Sequence, residues 1–583
     1  MDKNDSLKKS IYIFAILLIA INTFYIDNCN CQIRAPFISN LTYDSITQTG
    51  VTLCWSTDLP ADSKIRWMAP DSNYQALIFI DSMYYTAQVT NHIVPIRNLQ
   101  SATIYKYNVI SQNQGGSTID SGYFVTKSLS SGTIQVYFNH SVDISVSTGE
   151  HANGNQNFEH LFVKQIDSAK YSIDITLWGF SYYTSITNAL IKAKNRGVRI
   201  RFIYNHTAYT PQIDSMRAHG IPVLRREYDT TFSMHNKFWI FDYRYNSNPN
   251  NKFLWTGSTN VSHPQFHSDK NNIILVQDES LCAVYTREFE EMWGSHTDKY
   301  NALRARFGAQ KIDNTPHILN VAAKRVEVYF SPSDSVSVFL KNLILTKPIH
   351  SLFFSMLKFE LPVVEAALQT AFNNGKQVKG VFDFANSTLP NSAYPRMKGL
   401  AVPNTWNPHA DVFLDTLSGL IHHKYLLIDA NTTWGNKILS TGSYNWEVPA
   451  DTGNDENSLT IFDARINNLY FQEFHQRFIE SGGESIGINN ISEEVIPKSL
   501  FIENYPNPFN QITTLKFKIT KTSNVSLVVF DMIGCEVETI VNKTLNPGVY
   551  YVQFDGRFLT SGLYFCKITA GVYSETVKMM LMK

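Results

Sequence analysis

His235-Asn236-Lys237-Phe238-Trp239-Ile240-Phe241-Asp242 and His422-His423-Lys424-Tyr425-Leu426-Leu427-Ile428-Asp429 are two copies of one pattern. Each is followed by a second shared segment, Gly257-Ser258-Thr259-Asn260 after the first and Gly442-Ser443-Tyr444-Asn445 after the second. Each HxK element opens an apolar run of strand character. Side chains alternate faces along a strand, so the His and Lys of each element point one way, and Asn236 and His423 the other. The adjacent histidines are therefore not equivalent, and His422 is the one that shares a face with Lys424.

The duplication extends beyond the motifs. Ile134 to Phe138 (IQVYF) matches Val326 to Phe330 (VEVYF). A helical stretch with Ala189, Leu190, Ala193 and Gly197 matches Ala367, Leu368, Ala371 and Gly375. Each glycine is a helix stop followed by a strand, Val198 to Tyr204 and Val378 to Phe384. Alternating strands and helices predict an α/β layer structure in each half, residues 133–300 and 320–482. A repeat of this kind predicts two halves packed as a pseudo-twofold pair.

With 583 residues the chain is too long for one core, and several domains are expected. Hydrophobic content of 44% against 17% charged excludes a disordered chain. Lys+Arg and Asp+Glu stand at 50 each, which argues against a dedicated polyanion binder while leaving room for a local basic groove. Lys8 and Lys9 precede the apolar run Ile11 to Ile21, too short to span a bilayer but suited to a signal peptide over residues 1–31. Cleavage before Gln32 would leave Cys54, Cys282, Cys535 and Cys566. None has metal-site spacing; Cys54 reads as core, and Cys535 and Cys566 share a module in which they could pair.

Residues 32–128 read as short strands separated by turn formers, an N-terminal β-sandwich. Leu99 to Val109, with Thr103, Tyr105 and Tyr107, resembles the tyrosine-corner region of fibronectin type III domains. Its role is open between a binding module and a spacer. Residues 483–503 read as a linker, and 504–583 as a small C-terminal β-sandwich. Asn504-Tyr505-Pro506-Asn507-Pro508-Phe509-Asn510, Val525 to Phe530 with Gly534, and Ser561-Gly562-Leu563-Tyr564-Phe565 resemble the C-terminal sorting domain of the type IX secretion system. That resemblance implies the type IX machinery as a partner and passage through the periplasm to the surface or surroundings of a Gram-negative bacterium.

Two HxKxxxxD motifs, each with its glycine-serine-x-asparagine segment, resemble the phospholipase D superfamily over residues 133–482. The resemblance implies one active site at the interface of a duplicated α/β fold. The chemistry suits the residue types. Lys237 and Lys424 neutralise a phosphodiester, Asn260 and Asn445 donate to its nonbridging oxygens, and Ser258 and Ser443 line the same pocket. One imidazole attacks phosphorus and forms a phosphohistidine; the other protonates the leaving alcohol and then deprotonates water. The residues leave open which does which; the resemblance places the nucleophile at His235 and the acid–base at His422. It also implies a carboxylate or amide partner for each histidine from a later strand. Glu456 fits this in the second half. In the first half Asp269 stands at the matching distance, and a slip of one or two residues puts Lys270 or Asn271 there instead. Asp242 and Asp429 close the motifs and brace the fold. Trp178, Phe180 and Phe359 read as core or as an apolar entrance, and Ser387 to His409 as a loop. No metal and no cofactor enters this scheme. The expected substrate is a phospholipid, with membrane-surface contact. The alternatives are a nuclease using the same residues on DNA or RNA, and a surface-binding protein on an inactive enzyme fold.

Overall fold

The computed structural model describes residues 34–583 apart from 71–76, 182, 209, 227–230, 245–247, 389–390, 401–402, 490–500, 520–521, 533, 547, 572 and 583. The expected signal segment, with Cys29 and Cys31, and most of the expected linker lie outside the described residues. Among the described residues no helix is long and apolar enough to cross a membrane.

Two mixed sheets carry the motifs. In the first half the strands lie in the order Ile134–Phe138, Asn272–Gln277, Phe253–Gly257, Phe238–Phe241, Ser172–Leu177, Arg199–Tyr204, Val223–Arg225. In the second half the order is Lys324–Ser331, Glu456–Phe462, Ile438–Gly442, Lys424–Ile428, Ser351–Met356, Gln377–Asp383, Asp411–Asp415, with Ile318–Val321 added beside the first of these. The two orders correspond strand for strand. Helices Thr184–Asn195 and Pro362–Asn373 link the parallel pairs, and they end where the sequence predicts. Gly197 (φ +93°) and Gly375 (φ +80°) take the left-handed conformation that closes a helix.

Helices Glu279–Trp293 and Ala464–Glu480 lie in the single core that joins the two sheets. Their apolar stripes bury Leu281, Tyr285, Phe289 and Met292 from one, and Leu469, Tyr470, Phe474 and Phe478 from the other. Contacts cross between halves in matched fashion. Tyr285 meets Phe330 edge-on at 5.0 Å, and Tyr470 meets Phe138 at 5.1 Å. Each fully buried aromatic of this kind contributes about 2–3 kcal/mol of burial free energy, so the interface is built as a core rather than a surface contact.

The N-terminal module is a five-stranded sheet over Ile38–Val125. Its strand Val51–Pro70 shifts register between Ser56 and Ala61; the part before pairs with Ile38–Asp44, and the part after with Ile104–Asn113. Tyr105 Oη accepts from the Gln100 backbone N–H at 2.9 Å, closing the corner marked by Thr103 and Tyr105. The C-terminal module has two sheets, of three and four strands, sharing one core of Phe517, Leu527, Phe554 and Ile568. It starts at strand Phe501–Tyr505, slightly before the expected boundary at 504. Cys535 and Cys566 do not pair: Cys535 is exposed and Cys566 is buried, and both thiols are free, as are the buried Cys54 and Cys282.

Candidate active site

The HxK elements sit at the start of the central strands Phe238–Phe241 and Lys424–Ile428. Lys237 Nζ donates to the His235 carbonyl at 2.9 Å, and Lys424 Nζ to the His422 carbonyl at 2.8 Å. Asn236 and His423 point into the core as alternation requires. His423 is 1% exposed, between Glu473 Oε1 at 2.9 Å and Asn272 Nδ2 at 2.9 Å.

Each histidine finds its acceptor in the opposite half. His235 Nδ1 lies 2.7 Å from Glu456 Oε2, and His422 Nδ1 lies 2.9 Å from Asn271 Oδ1. Two short bridges hold this exchange. The His235 N–H donates to the Asp455 carbonyl at 2.9 Å, and the His422 N–H to the Lys270 carbonyl at 3.0 Å. The expectation for Asp269 is corrected. Its carboxylate accepts from the Leu420 N–H at 3.0 Å and from Gln265 Nε2 at 2.7 Å, away from His235. Glu456 is corrected as well, since it serves His235 and not the histidine of its own half. The position equivalent to Glu456 is Asn271. Ser258 Oγ donates to Asn271 Oδ1 at 2.8 Å and accepts from the Asn272 N–H at 3.0 Å; Ser443 Oγ accepts from the Asn457 N–H at 3.0 Å and is bonded to Glu456. The serines thus orient the histidine acceptors.

The glycine before each serine is a steric requirement. A Cβ on Gly257 would stand 2.3 Å from the Asn272 carbonyl oxygen, and one on Gly442 2.2 Å from that of Asn457, at φ +144° and +149°. Only glycine lets the strand carrying the histidine acceptor come this close. Asn260 Oδ1 accepts from the Gly179 N–H at 3.1 Å, and Asn445 Nδ2 donates to Glu447 Oε1 at 3.1 Å. Asp242 and Asp429 sit at φ +54° and accept from the backbone N–H groups of Lys170–Ser172 and of Ile349–Ser351. They tie the motif strands to their neighbours, away from the two imidazoles.

Lys358, which the sequence reading passed over, reaches this site: it is about one-third exposed and pairs with Glu447 at 3.0 Å. In the first half the matching positions are Gly179 and Ser262, so this pair is present on one wall alone. Trp178 is 37% exposed, with its ring centroid 6.2 Å from that of His235. Phe180 and Phe359, at 1% exposure, are core. Ser387 to His409 is partly outside the described residues and elsewhere holds the short helix Tyr394–Met397 and the buried Trp406.

Burial and the two lysines set the charges. Burial, then Lys237 and Lys424, hold His235 well below the ordinary histidine range; burial, then Lys424, Lys237 and His235, do the same to His422. Burial pushes Lys237 down to about 7 and Lys424 well below its usual value. Burial also pushes Glu456 up to about 7 against the pull of Lys237. Each group feels charge from the opposite half, so the residues form one electrostatic unit. A phosphodiester anion between the lysines would oppose these shifts and favour the cationic forms.

The chain resembles known proteins over these regions. The family model "Cardiolipin synthase, PLD-like domain" matches residues 162–293 and 344–478, and "Secretion system C-terminal sorting domain" matches 503–582. A mitochondrial cardiolipin hydrolase of Xenopus laevis is 31% identical over 139 residues, covering 23% of this chain and 60% of that protein. A phospholipase D of Rickettsia bellii is 26% identical over 179 residues, covering 30% of this chain and 82% of that protein. Among solved structures, the phospholipase D family member Nuc from Salmonella typhimurium covers 28% of this chain and 95% of its own, at 23% identity and TM-score 0.21. The phosphatidylserine synthase of Haemophilus influenzae covers 60% and 86%, at 12% identity and TM-score 0.40. The chain carries the PLD-like domain over residues 162–293 and 344–478, and a secretion system C-terminal sorting domain over residues 503–582.

Proposed function

We propose that this chain is an exported phosphodiesterase that hydrolyses phospholipids to a phosphate monoester and a free alcohol through a phosphohistidine. The observation that carries the reading is the pair of imidazoles with unlike acceptors, Glu456 for His235 and Asn271 for His422, around one pair of buried lysines. With the Nδ1–H of His235 held by Glu456, its Nε2 lone pair is free to attack phosphorus, and the carboxylate stabilises the positive charge that the ring gains. The neutral amide of Asn271 supports an imidazolium less well, which makes His422 the stronger acid.

In the first step His235 Nε2 bonds to phosphorus, the bond from phosphorus to the alcohol oxygen breaks, and His422 gives that oxygen its proton. In the second, water attacks phosphorus, its proton returns to His422, and the P–N bond breaks. Lys237, Lys424, Asn260 and Asn445 bind the nonbridging oxygens through both steps.

Lipid is favoured over nucleic acid by exposed apolar side chains whose chain neighbours are hydrogen-bonded to residues at or beside the site. Trp178, Phe384, Leu417 and Val448 are 37–50% exposed and apolar. They sit beside Gly179, Asp383, Ser418 and Glu447 respectively, whereas a strand of nucleic acid needs a basic track. The halves are read as pseudo-twofold copies, and the N-terminal module as a fibronectin type III-like sandwich. The sorting domain is read as a type IX signal that carries the chain through the periplasm to the surface of a Gram-negative cell. Purified protein in EDTA should release head group from phosphatidylcholine vesicles and leave single- and double-stranded DNA whole. DNA fragments without head-group release would overturn the lipid reading, and no turnover of either would point to a binding protein.

A further inference from the structure

Asn271 and Glu456 are each preceded by a buried charged residue, and the two have opposite sign. Lys270, 3% exposed, ion-pairs with Asp415 at 2.9 Å and donates to the Ser418 carbonyl at 2.8 Å. Asp455, fully buried, ion-pairs with Arg226 at 2.7 Å, lies 3.6 Å from Lys311 and accepts from the Gly308 N–H at 2.7 Å. Both partner sets belong to other elements: Asp415 ends a strand of the second half, Arg226 lies in the first half, and Lys311 in the connection between halves. The backbone of each charged residue pairs with a catalytic histidine's segment, Lys270 with Leu420 and His422, Asp455 with Ser233 and His235. Each thus does two jobs at one point: it docks one half onto the other, and it sets where the next side chain meets the imidazole.

We propose that Lys270 is a positioning residue for the acid–base step, its ion pair with Asp415 fixing Asn271 against His422, and that Asp455 is its counterpart for Glu456 and His235. The proposal rests on the phosphodiesterase reading above. Burying one charge without its partner is costly, whereas removing both is often tolerated, so the pair can be deleted without unfolding the protein. What is lost is alignment, and a displacement of about 1 Å in a catalytic group costs up to about a hundredfold in rate.

The test is the full chain with Lys270→Met and Asp415→Asn combined, compared with Asp415→Asn alone, each checked for a cooperative melt. Two soluble diesters serve as substrates, one with an alkyl leaving group and one with p-nitrophenol. The expected result is a drop in kcat of about tenfold or more on the alkyl diester, a much smaller drop on the aryl diester, and unchanged KM. Asp415→Asn should show the same selectivity. Equal losses on both diesters, or wild-type rates on both, in whichever of these variants melts cooperatively would overturn the proposal. His235→Ala separates the two claims: if it retains activity, the phosphohistidine reading has failed, whatever Lys270 does.

Discussion

Glu456 Oε2 stands 2.7 Å from His235 Nδ1, although the two residues belong to different sheet-bearing halves of residues 133–482. The acceptor of the proposed nucleophile is therefore supplied by a strand that arrives across the interface. Glu456→Gln keeps an oxygen that can accept the Nδ1 proton but loses the charge that stabilises a phosphorylated imidazole. Phosphorylation of His235 should slow by about tenfold to a thousandfold, on a par with losing one preorganised electrostatic group. Burst kinetics with an aryl phosphodiester would measure it, and an unchanged burst rate would remove Glu456 from the mechanism.

The acid–base role proposed for His422 predicts selectivity by leaving group. A p-nitrophenolate departs without a proton, whereas an alkoxide needs one. His422→Ala should cut turnover of alkyl diesters far more than that of aryl diesters, and His235→Ala should abolish both. Equal losses from His422→Ala on the two substrate types would contradict the assignment.

The unlike acceptors also predict a pH effect. Burial and the neighbouring cations hold His422 well below the ordinary histidine range, so its acid form in the free enzyme belongs to acidic pH, and kcat/KM should fall as pH rises away from it. Asn271→Asp places a carboxylate where the amide was. An opposite charge at this distance raises a histidine pKa by about 1–3 units, so the alkaline limb should move up by that much. A limb that stays put would assign it to another group.

The crossing of acceptors explains how far the sequence could be read. The repeat, the HxK faces, the helix-stop glycines and the inward turn of His423 all follow from periodicity, which the chain states locally. The partner of His235 does not. The motifs Asp242 and Asp429 are 187 positions apart, whereas Gly257 and Gly442 are 185 apart, because the first half has two extra residues between its motif strands. Carried through the glycine-serine segments, that spacing places Asn271 opposite Glu456 and removes Asp269 from the site. The exchange between halves is a tertiary fact with no local signature. Lys358 was equally hidden, because one lysine next to an apolar run looks like any strand end.

Away from the site, His317 reports on the connection between halves. Although burial opposes it, a hydrogen bond to Asp313 at 3.2 Å and the nearby Asp334 raise its pKa to about 9. A raised folded-state value means stability that is complete below about 6.5 and is lost as pH rises through about 9. His317→Gln should flatten the dependence of Tm on pH between these limits, removing at most about 3 kcal/mol. A variant as pH-sensitive as the wild type would show that the imidazole is not charged in the fold.

The exposed apolar side chains beside the site predict how a phospholipid substrate would be met. Trp178 and Val448 belong to different halves, are 37% and 50% exposed, and are not among the groups proposed to act on phosphorus. If they rest against acyl chains, Trp178→Ala and Val448→Ser should weaken action on vesicles through KM. Each loses about 1–3 kcal/mol of apolar contact, and together they amount to about tenfold or more. The same variants should hydrolyse a short, water-soluble diester at the wild-type rate, because Lys237, Lys424 and both imidazoles are untouched. The wild type should also bind vesicles with little dependence on salt, as expected for contact by apolar surface rather than by charge. Equal loss on the soluble diester would make Trp178 a wall of the phosphate site, and strong salt dependence would return nucleic acid or an anionic head group to consideration.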